Sequence, residues 1–148
     1  MMPLAHIFSE TRLIAAAPVF APLALAIAVG GLLTGMAPLA ERAALLLLIF
    51  GVSAQAGRME ARGLAPLIVT APAGRWARRI ALVAASGALM AAVLAPAALA
   101  AADPARLIIG VALAAAMAVA ATGMAMISRS AFAPRLILLI IWYGYASH

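Results

Sequence analysis

Residues 80–101 read IALVAASGALMAAVLAPAALAA, and residues 107–127 read LIIGVALAAAMAVAATGMAMI. Neither stretch holds a charged side chain. A helix rises about 1.5 Å per residue, so each reaches roughly 30 Å, the thickness of a bilayer's hydrocarbon core. The apolar residues are continuous and do not alternate, which selects helices over the strands of a membrane barrel. In lipid every backbone polar group must be satisfied internally, and a helix achieves this within one segment. The reading is an all-α, polytopic membrane helix bundle, with residues 1–148 as a single transmembrane domain.

Composition extends that reading to the whole chain. Of the residues 68% are hydrophobic and 9% charged, and mean hydropathy is +1.18. Soluble domains are about half apolar and about a quarter charged. Too little polar surface exists to coat a water-soluble particle, so a soluble enzyme is excluded. All ten basic residues are arginine, against four acids. They sit at the ends of apolar runs, with no basic stripe interleaved with stacking aromatics, so they read as membrane anchors and not as a nucleic-acid surface. The absence of cysteine excludes disulfides, thiolate metal sites and cysteine nucleophiles.

Outward from the two deciding stretches, further runs follow. Residues 13–36 form a first run containing Pro18 and Pro22, and residues 43–56 a short second run after Glu41 and Arg42. Counting these, four clear spans are expected. A fifth segment, 136–145, is only about 15 Å long as a helix. It needs residues from Ser130 onward, or it re-enters, or the protein continues past His148. Residues 1–12 read as an interfacial segment with Leu4, Ile7 and Phe8 toward lipid. They do not read as a cleaved leader, which would need a shorter apolar region and a basic start. Arginine placement gives orientation. Arg12, Arg58, Arg62, Arg75, Arg78, Arg79, Arg129 and Arg135 fall on one side, Arg42 and Arg106 on the other. By the positive-inside rule the N-terminus and residues 57–79 are cytoplasmic. Trp142, Tyr143 and Tyr145 then end the last run in the opposite aromatic belt.

The informative stretch is residues 57–79, GRMEARGLAPLIVTAPAGRWARR. Leu64, Leu67 and Ile68 share one helical face. Ala71-Pro72 ends that helix, because proline disfavours helical geometry in the residue before it. Arg75, Arg78 and Arg79, with Trp76, anchor the next span at the headgroups. The block resembles the cytoplasmic loop of ABC-2 type transporter permeases, the membrane subunits of one class of ATP-binding-cassette exporters. The matching residues are Glu60, Gly63, the apolar helix 64–69, Ala71-Pro72 and Arg75-Trp76. The likeness covers about residues 57–85 and is fainter over 129–143. It implies that the loop is a coupling helix docked on an ATPase subunit, with Glu60, Arg62, Gly63, Leu64, Leu67, Ile68, Ala71 and Pro72 at the contact. It also implies a bacterial inner membrane location and a second permease or a second copy as partner. The chain departs from the pattern in three ways. Family members usually have six spans, Pro66 lies within the coupling helix, and the second acid of the family's acidic-Gly-Thr-Leu-Glu run is missing.

Other residues add less. Gly31 and Gly35 have the spacing of a helix-packing face, or mark a flexible helix end. His6 and His148 lie at opposite chain ends, which argues against a shared metal site. Ser86 has no His or Lys in any span to activate it as a nucleophile. Met90, Met117, Met124 and Met126 read as packing or lipid-facing residues. No acid or base lies mid-span, where ion-coupled transporters place them. No H-E-x-x-H occurs and no Walker sequence, so no metal, cofactor or ATP is expected on this chain, and it is not expected to be an enzyme. The leading expectation is a transmembrane exporter subunit. A hydrophobic or cofactor-like cargo would pass between its apolar spans, with ATP hydrolysed by partner ATPase subunits. The alternative is a small non-transporting protein that scaffolds a larger membrane complex.

Overall fold

The computed structural model describes residues 2–16, 19–56, 74–130 and 132–147. Among these there are six helices and no strand. They are α1 (Met2–Ala15), α2 (Phe20–Thr34), α3 (Ala37–Ala56), α4 (Gly74–Ala100), α5 (Pro104–Ser128) and α6 (Phe132–Ala146).

Local chemistry sets the boundaries. Gly35 takes the left-handed conformation (φ 64°) that closes α2, and Pro38 falls in the first turn of α3, where its missing N–H costs nothing. At the α4–α5 turn Ala102 is left-handed (φ 50°), and the Asp103 N–H returns to the Ala98 carbonyl at 3.0 Å. Asp103 then caps α5, its carboxylate accepting from the Arg106 N–H at 3.3 Å, with Pro104 opening the helix. Arg129 ends α5 in the left-handed region, its N–H bonded to the Ala125 carbonyl at 2.9 Å.

Among the described residues three helices are long and apolar enough to cross a membrane: α3, residues 76–100 of α4, and α5. The count of four clear spans is therefore corrected. The first run is not one straight helix, because α1 and α2 meet at 88°. Pro18 lies outside the described residues, and Pro22 stands in the first turn of α2, where its missing N–H costs nothing. Taken as one broken span, the bent pair makes a fourth. The second span is longer than its apolar core suggested. Residues 37–42 belong to α3 and do not form a turn.

Helix α4 lies at the centre, packed against α1, α2, α3 and α5. Its contact with α5 is the most extensive in the bundle. On α5 the buried positions are Gly110, Ala114, Ala118, Ala121, Thr122 and Ala125, a ladder of small residues spaced by about one turn. Of these, Gly110 faces Leu94 and Met90 of α4, and the Ala114 carbonyl accepts from Ser86. Small side chains let two backbones approach closely, the usual means of packing helices where lipid removes the hydrophobic drive. Apolar side chains also cover the outside. Leu33, Leu99, Ile108, Ile127 and Ile140 are all exposed. In water such a surface would be unfavourable; against acyl chains it is the expected finish.

Helix α6 does not turn back on itself. Its start meets the end of α3 through Arg135 and Ser53, and its end meets the start of α3 through Tyr145 and Glu41. It thus runs antiparallel along most of α3. At fifteen residues it is roughly 22 Å long, short of a full hydrocarbon core.

Candidate functional site

Polar contacts gather at the two ends of the bundle. One end carries the last turn of α3, the first turns of α4, the last turn of α5 and the first turn of α6. Here Arg78 Nε donates to Glu10 Oε1 at 3.4 Å. Glu10 is buried, whereas Arg78 remains 41% exposed. The pair fastens α1 to α4, and Ile14 completes the joint by filling the space above Gly51 of α3. Arg79 lies over the Trp76 ring, 5.3 Å from its centroid. On the far side Arg135 Nε donates to Ser53 Oγ at 3.1 Å, and its guanidinium lies 5.5 Å from the Phe50 ring centroid. Both helices that flank residues 57–73 are therefore held near their ends: α3 by α6, and α4 by α1.

The opposite end is built around Glu41, which is only 3% exposed. The Tyr145 hydroxyl donates to its Oε1 at 2.8 Å. Next to it, the Trp142 indole N–H donates to the Arg42 carbonyl at 2.7 Å, and Arg42 Nη1 donates to the Ala146 carbonyl at 2.8 Å. That last bond satisfies one of the carbonyls left open at the end of α6. Arg106 and Asp103 form an ion pair at 3.0 Å on the neighbouring turn. The aromatic cluster is thus divided in its use. Tyr143 is exposed, while Trp142 and Tyr145 reach across to α3.

The sequence-predicted coupling residues Glu60, Arg62, Gly63, Leu64, Leu67, Ile68, Ala71 and Pro72 lie outside the described residues. Of the predicted anchors, Arg75, Trp76, Arg78 and Arg79 all fall in the first turns of α4. They belong to the same helix as the span, which runs from Gly74 to Ala100. Trp76 is exposed, as an interfacial anchor requires. Arg78 has an intramolecular role as well.

The buried acids are what the sequence reading missed. From the sequence, Glu41 reads as a charge flanking an apolar run, and Glu10 stands in the same way before the run that begins at residue 13. Pro38 was the available signal for Glu41: a proline in a helix's first turn puts residue 41 one turn inside. Glu10 had no comparable signal, since its partner lies 68 residues away. Ser86, also buried, lies with its hydroxyl 2.7 Å from the Val83 carbonyl and 3.3 Å from that of Ala114, tying α4 to α5. Among the described residues no group of three His, Asp or Glu side chains converges as a metal would need. Comparison with protein-family models, with curated proteins and with solved structures finds no match to this chain.

Proposed function

We propose that the chain is the transmembrane subunit of an ATP-driven exporter of the ABC-2 permease type. Its N-terminus and residues 57–79 would face the cytoplasm of a bacterial inner membrane. The observation that carries this reading is the sequence of the 57–79 block: Glu60, Gly63, the apolar stretch 64–69, Ala71-Pro72 and Arg75-Trp76, between two helices long and apolar enough to cross a membrane. Supporting it, the two flanking helices are also the core of the bundle, so a push on the block is delivered directly to α3 and α4. Because α4 is unbroken from Gly74, a displacement at Arg75 moves the helix as a whole. ATPase subunits dock below, a second permease or a second copy completes the pathway, and a hydrophobic or cofactor-like cargo passes between apolar walls.

Purification from native membranes in mild detergent, with mass spectrometry of what co-purifies, tests the reading. An ATP-binding subunit at near-equal stoichiometry is expected. Leu67→Asp or Ile68→Asp places a charge on the docking face and should release that subunit, or uncouple hydrolysis from transport, while membrane insertion persists. A partner set lacking any ATPase would overturn the exporter reading and leave a scaffold of a larger membrane complex in its place.

A further inference from the structure

A groove of about 330 Å³ runs along the last turns of α3, between that helix and the elbow of α1 and α2. Its apolar walls include Ile14, Phe20, Leu23, Leu47 and Phe50, and Gln55 adds an amide where α3 finishes. Gln55 is half-buried, and its side chain makes no hydrogen bond among the described residues. Over the Phe50 ring stands Arg135 of α6, also half-buried, its guanidinium carbon 5.5 Å from the ring centroid. A guanidinium carries five N–H donors. In Arg135 the one on Nε goes to Ser53, and those on the terminal nitrogens find no acceptor among the described residues. Arg135 is likewise in no ion pair among them.

We infer that this groove holds one acyl chain of an anionic phospholipid, with the lipid phosphate on the terminal nitrogens of Arg135 and an ester oxygen on the Gln55 amide. Two open polar groups at one end of an apolar trough select this occupant. The walls suit hydrocarbon. An amide without a partner is costly beside lipid, so what fills the groove must bring acceptors to the Gln55 end. The open fork of Arg135 matches phosphate in two-point contact, and basic pockets between membrane helices suit anionic headgroups. A second copy is a poor fit. Two copies inserted in the same sense and meeting at this groove would set Arg135 against Arg135, a like-charge contact. The site uses no residue of the 57–79 block, so it stands or falls apart from the exporter reading.

Native mass spectrometry of the full chain, released from detergent after addition of phosphatidylglycerol or phosphatidylcholine with identical acyl chains, tests the site. The unmodified protein should retain the phosphatidylglycerol adduct about fivefold better, the worth of roughly one arginine at an anionic surface. Arg135→Gln should bring retention down to the phosphatidylcholine level, while the new amide can still bond to Ser53. Ala54 lines the same groove and is exposed, so Ala54→Leu should fill the trough from outside the core and remove both adducts. Arg106→Gln, at the other end, should change nothing. Equal retention of the two lipids by the unmodified protein would overturn the inference. So would unchanged retention in either groove variant, or a lipid-free dimer that Ala54→Leu dissolves.

Discussion

Gly30 and Gly31 are adjacent in α2 and have opposite surroundings. A Cβ at Gly31 would sit 2.7 Å from the Cβ of Ala40 and 3.5 Å from that of Ala97, whereas at Gly30 nothing lies within 4 Å. An alanine Cβ has no torsion with which to move aside, so Gly31→Ala must push α2 off α3. We expect it to cost about 1–3 kcal/mol, the usual range for overpacking. Gly30→Ala should be neutral or slightly stabilising, because alanine favours the helix. Detergent-denaturant unfolding of the two variants side by side would check the contrast. Tyr145 poses a similar test in polar chemistry. Tyr145→Phe leaves the buried Glu41 carboxylate without its hydroxyl donor, which we expect to cost about 1–3 kcal/mol. Tyr143→Phe, on an exposed side chain, should cost nothing measurable in the same assay.

At the scale of the element, α1 lies crosswise to α2, packs on α4 with the Glu10–Arg78 pair at that contact, and sets Ile14 over Gly51 of α3. Because Arg78 is partly exposed, the pair contributes only about 1 kcal/mol. Arg78→Ala should then raise the rate of tryptic cleavage after Arg12 roughly fivefold, since local opening governs such cleavage. An unchanged rate would assign the docking to Ile14 alone. The elements were legible in proportion to how local their causes are. The spans 80–101 and 107–127 announced themselves by length and hydropathy, and Asp103-Pro104 fixed the turn between them. The apolar run 13–36 invites reading as one span, and Pro22, in the first turn of α2, was the local sign that a helix begins there. The buried roles of Glu10 and Glu41 and the antiparallel course of α6 depend on partners 68 and 104 residues distant. No periodicity encodes such pairings. The small-residue ladder of α5 was visible as Gly110, Ala114, Ala118 and Thr122, but its significance requires knowing which helix it faces.

For the whole molecule, the bundle sorts its charges by end. Arg78, Arg79, Arg129 and Arg135 lie at one, and Arg42 and Arg106 at the other. With no native cysteine, single thiols can report the orientation cleanly. In intact cells a membrane-impermeant maleimide should label Ala101→Cys and Ser147→Cys but not Ser128→Cys, all three being exposed positions. The reverse pattern would invert the proposed topology. The ladder of glycine and alanine between α4 and α5 carries a last consequence, in rotamer entropy. Alanine and glycine have no side-chain torsions to freeze, so the α5 side of this seam surrenders little of the freedom that a leucine-rich face would give up. Heating magnifies every entropic penalty, so it should erode this contact less than it would a seam that is leucine-rich on both sides. Any misfit falls to the longer side chains opposite: a Cβ added at Gly110 would meet Leu94 Cδ1 at 2.5 Å and Met90 Cε at 3.3 Å, tips that can turn aside.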